Sequence, residues 1–169
     1  MALSNFDLEN LAKQMKIKLI SVVSKDQINT IPYQSGLIIV NLSNNDKPGT
    51  HWVACIIYKE GNKLKPLYMD SYGILMPTEI ENYLKKLDKD IPYSNRQIQN
   101  LHTTVCGYYC LSCMYYLQYK RKHDDILLDF NDWISLFSNH EQKNENILKE
   151  SFKPYVIDFY KHTVTLNRS

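Results

Sequence analysis

A stretch with no polar face constrains this chain more than any other feature. Residues 108–119 read Tyr-Tyr-Cys-Leu-Ser-Cys-Met-Tyr-Tyr-Leu-Gln-Tyr, apolar or aromatic at nearly every position. A helix that is hydrophobic all round has to be enclosed by other elements. No apolar run reaches the roughly 20 residues needed to span a bilayer, so the enclosure is expected to be protein and no membrane association is expected. At 169 residues the chain suits a single domain, residues 1–169, with a sizeable core.

The elements that enclose it can be read from periodicity. Ser4 or Asn5 caps a first helix with Leu8, Leu11, Ala12 and Met15 on one face. Residues 17–23 read as a strand or extended segment, and 36–42 as a strand buried on both sides. Residues 51–58 and 64–69 form a hairpin around Glu60-Gly61-Asn62-Lys63, which brings the start of one strand beside the end of the other. Thr78 and Glu81 match a capping box for a second helix with Ile80, Tyr83, Leu84 and Leu87 along one face. Residues 93–98 suggest a short strand, 125–137 a helical or mixed segment, 139–146 a polar stretch, and 155–160 either strand or helix. The fold class expected is α+β, a mixed central sheet packed against the buried helix.

Composition narrows the function. A net charge of +2 offers no strong electrostatic case for nucleic acid. The basic run Lys120-Arg121-Lys122-His123 reads as a solvated helix end, where cations are favoured. The 13 tyrosines suit a groove or an interface, pairing an apolar ring with a hydroxyl. Of the four cysteines, Cys106, Cys110 and Cys113 share one helix and Cys55 lies in a strand, a pattern of packing and not a disulfide framework. Cys110-x-x-Cys113 lacks a second ligand pair, so no metal is expected.

Cys106 differs from the other cysteines by position. It opens the helix after a polar loop, where unsatisfied N–H groups and the helix dipole favour a thiolate, and Gly107 leaves room for a backbone to approach. His51 follows Gly49-Thr50 at the start of a strongly apolar strand and can accept the thiol proton, while Trp52 points to the other face and packs or covers the site. Asp70, at the end of the paired strand, stands where a carboxylate would orient that imidazole. The remaining acidic residues are expected on helices or turns facing water. Gln99, with the Cys106 backbone N–H, can donate to an oxyanion; Gln97 and Asn100 are rivals for that role, and His102 is a rival base. His123, His140 and His162 read as surface residues.

Together, Gly49-Thr50-His51-Trp52, the Asp70-Ser71-Tyr72-Gly73 turn, Gln99 and Cys106-Gly107-Tyr108-Tyr109-Cys110 resemble the adenovirus-type maturation protease (adenain) family, within the clan of ubiquitin-like-protein proteases. The likeness covers about residues 4–119, and glutamine seven residues before cysteine is a feature of the adenain branch. It implies a cysteine protease with Cys106 as nucleophile, His51 as base, Asp70 as orienting acid and Gln99 in the oxyanion hole. Trp52, Gly49 and Gly107 would line a narrow slot for substrate. Adenain has Glu where this chain has Asp70, and residues beyond Tyr119 match nothing in the family.

The resemblance further implies cleavage of viral precursor polypeptides, such as capsid proteins, after Gly-Gly or Gly-x during virion maturation. The enzyme would work as a monomer without a cofactor, in the virion and in the host cytoplasm or virus factory. A virophage or related DNA virus is the expected source. The family's nucleic-acid and activating-peptide partners have little support here, since no tethering cysteine can be matched. Alternative readings are a protease for ubiquitin or its relatives, an acetyltransferase using the same cysteine, and a non-enzymatic capsid-associated protein that retains the fold.

Overall fold

The computed structural model describes residues 3–44, 51–100 and 103–153. Helix α1, Asn5–Gln14, starts at Ser4, whose hydroxyl accepts the Asp7 N–H while the Asp7 carboxylate accepts the Ser4 N–H. Strand β1 (Leu19–Ser24) leads into a 3₁₀ turn, Lys25–Thr30, and then strand β2 (Gly36–Asn41). Strands β3 (Trp52–Glu60) and β4 (Lys63–Met69) form the hairpin. Four helices follow: α2 (Thr78–Leu84), α3 (Cys106–Tyr119), α4 (Ile126–Ser135) and α5 (Glu141–Phe152).

The sheet order is β1-β2-β3-β4, with β1 parallel to β2 and the other pairs antiparallel. Every residue of β2 is buried, as its unbroken apolar run required. Strand alternation divides the core into two layers. Leu37, Ile39, Trp52, Ala54, Ile56, Leu67 and Met69 face α3, α1, α4 and α5, whereas Ile38, Val40, Val53, Cys55, Ile57 and Tyr68 face α2 and the 3₁₀ turn. Helix α3 is buried at ten positions from Cys106 to Leu117, at about 1.5–3 kcal/mol for each large side chain enclosed. The mixed α+β architecture is therefore the expected one.

Several local expectations fail for identifiable reasons. Helix α2 begins at Thr78, but Pro77 occupies the cap and no side chain bonds there, so the capping box does not form. Residues 93–98 do not make a strand; Tyr93 forms one isolated bridge to Tyr68, flanked by bonds from the Tyr68 N–H to the Pro92 carbonyl and from the Ser94 N–H to the Tyr68 carbonyl. The polar stretch at 139–146 is mostly helix α5, held by Leu148, Phe152 and the fully buried Asn144. Asp129 is not a solvated acid. It is fully buried, accepting from the Arg121 side chain and from the Lys122 and His123 N–H groups. The basic run after α3 is thus folded around a carboxylate. The segment expected at 155–160, like His162, lies outside the described residues.

Candidate active site

Hairpin geometry builds the first half of the site. The β3–β4 register pairs Ala54 with Met69, so the residues just beyond it, His51 and Asp70, meet at the same end of the sheet. His51 Nε2 lies 2.6 Å from Asp70 Oδ1, and both residues are buried. The same carboxylate oxygen accepts the Tyr72 N–H at 2.8 Å. Ser94 clamps the backbone of Asp70 from both sides, its hydroxyl accepting from the Asp70 N–H and donating to the Asp70 carbonyl, each at 3.1 Å. With its carboxylate and backbone both tethered, Asp70 has little freedom to turn from the imidazole.

The nucleophile side comes from α3. Cys106 is the first residue of the helix, and its cap residue, Val105, contributes no side-chain hydrogen bond. First-turn N–H groups lack the usual partner four residues back; here the Tyr108 N–H bonds to the Val105 carbonyl at 3.0 Å, and the Val105 side chain takes none of the others. The Trp52 backbone N–H points at the Cys106 sulfur, 3.4 Å away. Cys106 is 3% exposed and His51 7% exposed, so the pair sits in a low-dielectric environment with restricted access.

Burial works to lower the basicity of His51, but the hydrogen bonds and charges of Asp70 and Cys106 outweigh it and raise the imidazole pKa from 6.5 to about 9. Nε2 of His51 is held by Asp70, so the ring nitrogen left to interact with Cys106 is the buried Nδ1, which has no conventional hydrogen-bond partner among the described residues. Burial pushes the other three cysteines, Cys55, Cys110 and Cys113, far above the ordinary thiol range, so they stay protonated and inert.

Two contacts around the site escaped the sequence. The Tyr72 ring stacks on His51 with centroids 4.1 Å apart and planes 13° apart. An aromatic face against an imidazolium is electrostatically favourable and fixes the ring plane; only the turn after β4 brings it there. Asn144, on α5, donates to the Ile98 carbonyl, which also accepts from the Tyr109 hydroxyl. That carbonyl precedes Gln99, so α3 and α5 together anchor the approach to it. Asn144 also accepts the Ser138 N–H and donates to the Ser138 carbonyl, but its bond to Ile98, 46 residues away, carries no local signal.

Gln99 is buried, with its side chain held between the residue after Asp70 and the loop leading into Cys106. Its amide oxygen accepts from the Ser71 hydroxyl at 2.5 Å, and its Nε2 contacts the Thr103 carbonyl and hydroxyl, each at 3.2 Å. Thr103 stands three residues before Cys106. Of the rivals, Gln97 donates to the Gln99 carbonyl; His102 lies outside the described residues. Trp52 is buried and donates its indole N–H to the Leu3 carbonyl, so its ring belongs to the core beside Cys106, and its backbone N–H is the part that reaches the sulfur. Gly107 has close neighbours on α1 and in the residues before that helix. A Cβ there would come within 2.9 Å of Leu8 Cδ2 and 3.2 Å of Leu3 Cδ1, so the glycine serves the packing of α1 on α3. Gly49 lies outside the described residues.

No protein-family model matches this sequence, and no curated protein does. Solved structures do. Two crystal structures of the pS273R protease of ASFV, one of them of the selenomethionine protein, align with TM-scores of 0.57 and 0.55. This chain is similar in fold to a viral protease. Sequence identity is 16% in both alignments, each of which covers 85% of this chain. The chain in turn spans a little under two thirds of those proteases, 64% and 65% of their lengths. A mixed sheet backed by a central helix is thus a known framework, with a thiol, an imidazole and a carboxylate gathered here at one end of it.

Proposed function

We propose that this chain is a viral cysteine endopeptidase that cuts structural precursor polypeptides after small residues, of the Gly-Gly or Gly-x type, during virion maturation. The observation that carries the reading is the convergence of Cys106, at the uncapped start of α3, with a His51 clasped by Asp70 at 2.6 Å. The fold neighbours support a protease in general terms. Motif order supports the finer affiliation with adenain-type enzymes of a virophage or related DNA virus.

In this reading His51 takes the Cys106 proton and the thiolate attacks the scissile carbonyl carbon. The new C–S bond places negative charge on the carbonyl oxygen, which the Cys106 backbone N–H and a Gln99 N–H released from Thr103 would receive. As the C–N bond breaks, the His51 imidazolium gives its proton to the departing amine and leaves a thioester. Water, deprotonated by His51, then releases the acid and restores the thiol. Asp70 holds the ring and stabilises the imidazolium. The limited access at Cys106 and His51 supports a reacting residue with little or no side chain. The chain would act as one monomeric domain without a cofactor, in the virion and in the host cytoplasm or virus factory.

The test is labelling by an electrophile, together with cleavage of Gly-Gly and Gly-x peptides. Selective modification of Cys106 over Cys55, Cys110 and Cys113 is expected, with His51→Ala slowing acylation by about 10²–10⁴. Equal labelling of all cysteines, unaffected by His51, would overturn the assignment. Turnover of a ubiquitin-type probe but not of the peptides would replace it with the modifier-protease reading.

A further inference from the structure

We infer that Ser71 is a positioning residue for the oxyanion donor, an inference that rests on the cysteine-protease reading and deepens it. Two adjacent residues at the end of β4 divide the site between them. Asp70 orients the base through its carboxylate, and Ser71, with no solvent exposure, orients Gln99. The Ser71 carbonyl accepts the N–H groups of Ile98 and Gln99 at 2.9 and 3.0 Å, so backbone and side chain of Ser71 both grip the same short segment.

The direction of the side-chain bond follows from chemistry. The Thr103 carbonyl can only accept, so the Gln99 group facing it is the amide nitrogen, and the group facing Ser71 is the amide oxygen. Ser71 therefore donates. Its hydroxyl occupies the end of the amide that would repel an oxyanion and keeps the N–H end on the side of the loop leading into Cys106. The Thr103 hydroxyl already donates to the Asn100 carbonyl at 2.8 Å and accepts from Gln99 only at 3.2 Å. That longer contact is the one a developing oxyanion would replace. Removing the Ser71 hydroxyl leaves a buried amide oxygen without its donor, and rotation of the amide would then turn an acceptor towards the reacting carbonyl.

The experiment separates acyl transfer from simple thiol reactivity. Alkylation of Cys106 by iodoacetamide passes through no tetrahedral oxyanion, whereas peptide hydrolysis does. Ser71→Ala is expected to lower kcat on a Gly-Gly peptide by tenfold or more, towards the loss of about 10²–10³ expected for a missing oxyanion donor. KM and the alkylation rate should stay within about twofold, Ser71→Ala should add less than twofold in a Gln99→Ala background, and Ser71→Thr should recover part of kcat. Equal losses in both backgrounds, or a parallel fall in alkylation, would overturn the inference and mark Ser71 as a general packing residue. A drop in kcat for Gln99→Ala with none for Ser71→Ala sinks the inference alone, whereas no drop for Gln99→Ala sinks the oxyanion role itself. Should Ser71→Ala not fold, Ser71→Cys, which preserves volume and weakens the donor, takes its place, with labelling at Cys106 read by peptide mapping.

Discussion

Replacing Asp70 by Asn tests the electrostatic centre of the site while nearly preserving its shape. The asparagine oxygen can still accept the Tyr72 N–H, but the charge that holds the His51 imidazolium is gone. In the native site the His51 pKa stands at about 9, against 6.5 for an unperturbed ring. At 1.36 kcal/mol for each pH unit, this favours the charged ring by about 3 kcal/mol, net of the opposing cost of burial. Without Asp70, burial remains while the carboxylate's hydrogen bond and charge that oppose it disappear, so the His51 titration should fall markedly from about 9. Because the folded pKa exceeds the unfolded one, the stabilisation is fully present below pH 6.5 and is lost as pH rises through about 9. Urea unfolding of the native protein should therefore weaken between pH 6 and pH 9.5, and Asp70→Asn should flatten that dependence. The imidazole C–H resonance, followed by NMR, gives the titration directly, and the alkaline limb of peptide hydrolysis should move with it. A variant whose His51 still titrates near 9 would refute the reasoning, because the raised basicity would then owe nothing to the carboxylate.

Other perturbations read different parts of the molecule. Gly73→Ala should destabilise by more than about 2 kcal/mol in urea unfolding, since its φ is +70° and a Cβ would meet the Arg96 backbone at 2.6–2.8 Å. Gly107→Ala should cost less, about 1 kcal/mol, because the clash falls on the mobile end of Leu8, and a larger loss than at Gly73 would contradict the packing described. Asp129→Ala should lower stability by about 3 kcal/mol by stripping two backbone N–H groups and Arg121 of their acceptor, while kcat per folded molecule stays unchanged.

Much of the framework was legible in the sequence because its elements carry short-range signals. Helix α3 shows itself by lacking a polar face, β2 by an unbroken apolar run, and the hairpin by the turn at Gly61. The meeting of His51 with Asp70 could be anticipated because a two-stranded hairpin fixes which strand ends are neighbours. Helix α5 was obscure for the opposite reason. Its sequence is polar, and only the burial of Asn144 and Phe152 against distant elements makes it a helix of this domain. The burial of Asp129 was equally hidden, since the N–H groups that compensate it are presented by the turn after α3.

The order of residues alone settled that a cysteine would open a helix with no wet side, and that a histidine and an aspartate would share the mouth of a hairpin. Both follow from periodicity and from the geometry of adjacent strands. Tertiary structure decided the rest: the Tyr72 ring on His51, the Trp52 N–H on the Cys106 sulfur, and the grip of Ser71 on the Gln99 amide. Hydrogen bonds and ring contacts depend on distances of a few ångströms between segments far apart in the chain, and no local pattern encodes those distances.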